Sequence, residues 1–185
     1  HILQGIKKDL ELDGKKYSWD EIVALARAYR GAPCLFDPNS FELFNPRNMI
    51  AAIKSLMKSS DGTIEQVVAS TYASLAFTYR RTIEQIQEVT GKNYLCIYIV
   101  GGGSQNHYLN QLTADLTGKN VVSGPKEATS LGNIGVQLVA HIDDFNLSDI
   151  REMVKNSEEI SSFQPNPIRN VQQIESQYKE FLETL

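Results

Sequence analysis

The stretch from Leu95 to Asn106 most narrows what this chain can become. An apolar run, Leu95-Cys96-Ile97-Tyr98-Ile99-Val100, stops at Gly101-Gly102-Gly103 and passes into Ser104-Gln105-Asn106. A short β-branched and aromatic run ending on glycine reads as a buried strand that delivers its C-terminal end to a site, with a helix starting almost at once. Three residues without Cβ let backbone amides approach a ligand, and a helix N-terminus turns its unpaired N–H groups toward a phosphate there. A plain tight strand-to-helix turn uses the same glycines. The two readings are balanced until a second signature is considered.

Around this stretch the pattern is helical. Ile2, Leu3, Ile6 and Leu10 share a face that ends at Asp13-Gly14, as in the tail of a helix begun upstream. Ser18 with Glu21 has capping-box spacing and opens a helix that carries Ile22, Leu25, Ala26 and Tyr29 and stops at Gly31-Ala32-Pro33. From Leu35 to Pro46, turn formers alternate with large apolar residues, a loop that must pack on something. Asn45 and Pro46 are placed to start a short helix through Met57. Thr63 caps a long helix to about Thr90, with Val67, Val68, Thr71, Leu75, Thr78, Tyr79, Thr82, Ile83 and Ile86 as its buried stripe.

After the glycines come a helix ending at Gly118, a short strand at Val121-Val122 and a helix over Glu127–Ile142. Strand, helix, strand, helix implies two parallel neighbours with a helix over the sheet. Two strands are too few for a sheet, so either earlier strands are missing or the chain is mostly helical around a small centre. A short helix over Leu147–Val154 capped by Asn146 or Ser148, an extended segment from Ser161 to Ile168 and a helix from Val171 to Leu185 complete the expected order.

The charge balance excludes some partners. A formal net charge of -4, with no basic stripe carrying aromatics, leaves no footprint for nucleic acid. No apolar run approaches the roughly 20 residues of a membrane span, and no signal-peptide pattern opens the chain at His1, so no membrane partner is expected. Cys34 and Cys96 form neither a disulfide framework nor a metal-ligand pattern, for which a reducing, cytoplasmic setting is the default. His107 and His141 also lack metal-ligand spacing.

Two nucleotide motifs compete for the glycine turn and fit poorly. The dinucleotide fingerprint needs a third glycine and an acidic ribose ligand, and the chain offers Ser104 to Asn106 and then Val122-Ser123-Gly124 instead. No Lys-Ser/Thr pair follows the glycines, which excludes a P-loop. The second signature is Gly124-Pro125 through Gly135, in which Ala128, Gly132 and Gly135 fall on one helical face. Interior helical glycines cost roughly 1 kcal/mol each relative to alanine, so something must come close to them, either a neighbouring strand or a ligand.

Together these residues resemble a known family. Ile99 through Asn106, continued by Leu109-Asn110-Gln111-Leu112, Ala114-Asp115, Gly124-Pro125, Glu127-Ala128 and Leu131 to Gly135, are similar to the C-terminal domain of FGGY carbohydrate kinases. Within it, Phe36-Asp37-Pro38-Asn39 with Phe44, Pro46 and Met49, Gly132-Asn133-Ile134-Gly135, and Phe163-Gln164-Pro165-Asn166-Pro167 resemble the rhamnulokinase branch.

The resemblance implies an α/β fold, part of an actin-like ATPase (ribonuclease H-like) C-terminal lobe, helix-rich with a small parallel sheet and lacking the lobe's early strands. Residues 1–185 are then a single domain on the nucleotide-binding side. It further implies ATP and Mg²⁺ as cofactors, with Gly101, Gly102 and Gly103 against the nucleotide and Asn106 as a polar neighbour. Gln4 matches a family glutamine that lies near ATP, with His1 where that family has an aromatic. The implied reaction transfers the γ-phosphoryl group to the C1 hydroxyl of L-rhamnulose, which binds through an absent N-terminal lobe that also carries the catalytic carboxylate. No catalytic or metal-binding residue is expected here; Asp115 and Glu127 read as structural or capping. Two other readings remain: a non-catalytic nucleotide-binding or assembly module of this fold, and a kinase for another ketose or polyol. Truncation is expected to leave apolar surface and a sheet edge that favour self-association.

Overall fold

A computed structural model describes residues 1–166 and 171–185. By internal contacts the chain divides into two compact units, His1–Val89 with Ile168–Leu185, and Thr90–Pro167.

The first unit is helical. Its elements are α1 (Ile2–Leu12), α2 (Trp19–Ala28), α3 (Met49–Leu56), α4 (Ile64–Thr90, which runs to the unit boundary) and α8 (Val171–Leu182). The capping box forms as its spacing requires: Glu21 N–H donates to Ser18 Oγ at 3.2 Å, and Ser18 N–H donates to Glu21 Oε2 at 2.7 Å. α2 nevertheless ends at Ala28, before Gly31, because Tyr29 is already extended. The cap of α3 also differs from expectation. Asn48, three residues past Asn45, accepts the Ala51 N–H at 2.6 Å. Asp9, buried on α1, reaches across the chain to accept the Ile50 N–H at 2.9 Å. α1 and α3 lie close because Gly5 has no side chain: a Cβ there would stand 2.8 Å from Met49 Cε.

α4 is buried around most of its first half, through Val67, Val68, Tyr72, Ala76 and Phe77, while Tyr79, Thr82 and Ile86 of the expected stripe are exposed. Polar contacts also bury the serines of that first half. Ser70 Oγ accepts the Cys34 N–H at 3.0 Å and Ser74 Oγ accepts the Phe36 N–H at 3.1 Å, so the loop lies along the serine face. Leu35, Phe36 and Leu43 of that loop are buried, whereas Phe41 and Phe44 stay exposed and stack on each other.

The C-terminal helix α8 docks on α4 through a mixed cluster. The Phe77, Tyr178 and Phe181 rings pack with centroids 5.6 to 6.4 Å apart. Arg80 lies 4.0 Å over the Tyr178 ring and binds Glu175 with two parallel hydrogen bonds of 2.9 and 3.1 Å. The Tyr178 hydroxyl donates to Glu84. Hydrogen bonds from Arg80 hold the Glu175 carboxyl below its usual range, while burial, and then the neighbouring Glu84 carboxylate, push the Tyr178 phenol up. A depressed carboxyl stabilises above its ordinary range and loses that contribution as pH falls through its folded value. A raised phenol stabilises below about pH 10 and loses it as pH rises further. The melting temperature of the chain is therefore expected to be flat at neutral pH, with a shallow acid decline, since Glu175 is half-exposed, and a steeper alkaline one. Thermal melts across pH test this: Arg80→Gln should shrink the acid limb and Tyr178→Phe the alkaline limb, to which the raised Tyr79 phenol also contributes.

The second unit contains β1 (Cys96–Ile99), α5 (His107–Thr117), β2 (Asn120–Ser123), α6 (Ala128–His141), α7 (Leu147–Ser157) and β3 (Ser161–Phe163). The expected parallel pair is present, with Cys96 opposite Asn120 and Ile99 opposite Ser123, and α5 is its crossover. The extended segment after Ser161 adds β3 antiparallel to β2, so the sheet is mixed, in the order β1-β2-β3. The rest of that expectation, at Pro167 and Ile168, lies outside the described residues. β2 is central, with Val121 wholly buried. Among the described residues β1 pairs on one side only and is an edge strand, and Leu95, Tyr98 and Val100 are exposed rather than buried.

α5 stops at Gly118, whose φ of +65° permits the left-handed cap. Asn146 caps α7 in a second capping box, with Asp149. The segment after β3 is strapped to α5: Asp115 accepts the Asn166 N–H at 2.8 Å, and Gln111 donates to Gln164 O at 2.8 Å.

Candidate nucleotide-contact sites

In the second unit the C-terminal ends of the two parallel strands meet. β1 leads into Val100–Gly103, and β2 into Gly124–Lys126. Two backbone hydrogen bonds join these turns, Gly124 N–H to Ile99 O at 2.7 Å and Gly101 N–H to Pro125 O at 2.9 Å. In open α/β sheets the crevice beyond the strand C-termini is where ligands bind.

Each glycine of the turn has a different reason to be glycine. Gly101 has φ +77° and ψ -165°, a region essentially closed to residues with a Cβ. Gly102 needs no such conformation, and a Cβ built on it would meet nothing within 4 Å. Neither backbone strain nor packing requires its bare backbone. At Gly103 a Cβ would make ordinary contact, 3.9 Å from Ile99 Cγ2. Gly102 and Gly103 are both exposed.

The turn is braced from behind. Residues Gly102–Gln105 form one 3₁₀ turn before α5 begins, so the helix starts later than expected. Ser104, fully buried, donates its hydroxyl to Gly101 O at 2.8 Å. Asn110 on α5 donates to Ser104 O at 2.9 Å. The Gly102 and Gly103 amides are not among the donors of this network. Asn106 caps α5, its Oδ1 accepting the Leu109 N–H at 3.1 Å, so its carboxamide oxygen belongs to the helix.

The second signature divides. Gly135 is a packing glycine: a Cβ would stand 2.7 Å from Ile150 Cγ2, so α7, rather than a strand or ligand, comes close. Gly132 faces open space, as Gly102 does.

Gln4 belongs to the first unit. It lies on α1 in a concavity lined by Gln4, Lys8 and Asp9 of α1 and by Asn45, Arg47 and Met49. Sequence reasoning did not single out Lys8 or Arg47. For Lys8 the signal was present, since it sits four residues after Gln4 and so one turn along the same face. Arg47 arrives only through tertiary packing of the 45–49 segment. Among the described residues, no three His, Cys, Asp or Glu side chains converge as a metal site, and no helix is long and apolar enough to cross a membrane.

Comparison with known proteins places this geometry. Residues 1–141 match the profile of the FGGY family of carbohydrate kinases, C-terminal domain. The chain is 31% identical to the rhamnulokinase of Bacillus subtilis (strain 168), an alignment covering 100% of the chain and 38% of that protein. It is 33% identical to the rhamnulokinase of Oceanobacillus iheyensis, covering 88% of the chain and 34% of that protein. The chain thus spans less than two fifths of the length of these curated relatives. The crystal structure of xylulose kinase from Rhodospirillum rubrum matches 98% of the chain and 36% of its own, with a TM-score of 0.66 and 15% identity, which speaks for the fold. The helix-rich architecture with a small mixed sheet is that of an actin-like ATPase, and the chain belongs to the FGGY family of carbohydrate kinases, whose C-terminal domain it matches.

Proposed function

We propose that this chain is the nucleotide-side portion, a single lobe fragment, of an ATP-dependent sugar kinase that phosphorylates L-rhamnulose at its C1 hydroxyl. Two relatives named rhamnulokinase, at 31% and 33% identity, support the sugar. The open space at Gly102 carries the nucleotide reading, because a residue kept bare without internal cause leaves room for something outside the chain.

In this reading the Gly102 and Gly103 amides donate to a phosphate oxygen of ATP. The Gly101–Pro125 and Ser104–Gly101 hydrogen bonds hold the turn rigid, so it is organised before the ligand arrives. Asn106 fixes the start of α5 behind the turn. Gln4, in the other unit, is assigned to the nucleotide by family resemblance. ATP and Mg²⁺ supply the transferable phosphoryl group and neutralise its charge. This chain contributes binding and orientation, and the base that takes the hydroxyl proton belongs to the rest of the protein. The isolated 185-residue chain is expected to bind nucleotide and turn over nothing.

The test is ATP-dependent phosphorylation of a ketose and polyol panel by the full-length protein. L-rhamnulose is expected to be the preferred acceptor. Turnover of a different sugar with none of L-rhamnulose would reject the sugar and keep the kinase. No ATP-dependent turnover of any acceptor, with ATP still bound, would favour a non-catalytic module.

A further inference from the structure

The concavity that holds Gln4 has a charge pattern the nucleotide reading does not use. In a chain with net charge -4, Lys8 and Arg47 both line it, and among the described residues neither has an ion-pair or hydrogen-bond partner. The neighbouring Lys7, by contrast, is paired with Glu11. Asp9, the one acid in the lining, is 5% exposed and turned to the Ile50 N–H, so its carboxylate serves the start of α3. Another early α3 donor, Ala51 N–H, is taken by Asn48. These two contacts occupy the Ile50 and Ala51 donors of the helix start, and beyond the backbone the concavity offers side-chain chemistry: an ammonium, a guanidinium fork, and the Gln4 and Asn45 carboxamides.

We propose that this concavity binds a phosphate-bearing ligand, with Lys8 and Arg47 holding the phosphate group and Gln4 and Asn45 orienting it. The volume, about 220 Å³, is smaller than the roughly 300–1,000 Å³ of sites that enclose a drug-sized molecule, so it takes one anionic group and not a whole nucleotide. Arg47 suits phosphate because its planar fork presents two parallel donors; Lys8 adds a point charge. The phosphate has two sources: the tail of ATP, in which case the inference rests on the kinase reading, or a sugar phosphate or free phosphate, in which case it does not.

The test is NMR titration of the isotope-labelled 185-residue chain with ATP, inorganic phosphate and a ketose 1-phosphate, against KCl at matched ionic strength. The resonances followed are the Gln4 and Asn45 side-chain amides, the Arg47 Nε–H and the Gly101–Gly103 amides. At least one phosphate compound is expected to shift the first three, with affinity falling roughly tenfold in Lys8→Gln and in Arg47→Gln while the fold, checked by circular dichroism, is kept. The compounds themselves separate the sources: a response at the concavity to ATP alone makes the ligand the tail of ATP, and a response to inorganic phosphate or the ketose phosphate makes the site independent of the nucleotide. The inference is overturned if none of the three compounds moves these resonances beyond the KCl control, or if both charge variants bind unchanged. In the first case, ATP shifts at Gly101–Gly103 alone would leave the kinase reading intact.

Discussion

Gly102→Val is expected to lower ATP affinity on the order of 100-fold, about 2.7 kcal/mol, while leaving the stability of the free chain within about 0.5 kcal/mol. A Cβ at this position meets nothing within 4 Å, so the side chain branches into open space. Its backbone is not in the left-handed region, so it adds no strain of that kind. Any large effect must therefore come from a molecule outside the chain. Gly101→Val would not discriminate, because φ +77° with ψ -165° makes every side chain there cost about 1–3 kcal/mol whether or not a ligand binds. Isothermal titration of ATP into the chain and into the full-length protein, beside urea denaturation of both, gives the two numbers. Unchanged affinity in Gly102→Val would remove the turn from the nucleotide site.

Phe181→Ala is expected to destabilise the chain by about 3–5 kcal/mol, read as a lower urea midpoint. Phe181 is completely buried, and with Tyr178 and Phe77 it forms the ring cluster that docks α8 on α4. Against the roughly 5–15 kcal/mol that holds an ordinary domain together, this loss is a fifth or more. Phe44→Ser, at a ring 75% exposed, is the matched control and should shift the midpoint by no more than about 0.5 kcal/mol. Equal effects at the two positions would mean that α8 does not close the first unit as described.

These two phenylalanines show where reading the sequence succeeds and where it stops. Both stand in plausible apolar patterns, and nothing within a few residues of either says which is buried. Phe181 is covered by Phe77, more than a hundred positions earlier, while the exposed Phe44 stacks on Phe41, three positions away. The long α4 stripe went astray for the same cause: the burial of Ser70 and Ser74 depends on the Cys34 and Phe36 amides, over thirty residues away.

What the sequence determined by itself was local. The Ser18–Glu21 box, the Gly118 cap, the strand that ends on three glycines and the parallel pair around α5 all follow from interactions spanning a few residues or one crossover, and the family followed from the same motifs. What only the tertiary structure decided was non-local. It assigned the cap of α3 to Asn48 and Asp9, made β3 antiparallel, tied Gly135 to Ile150 while leaving Gly102 and Gly132 open, and brought Arg47 into one concavity with Lys8. The physical reason is that backbone propensity and capping act over three or four residues. Burial, close approach and the meeting of charges are set by whichever segments fold against each other, and their sequence separation is unconstrained.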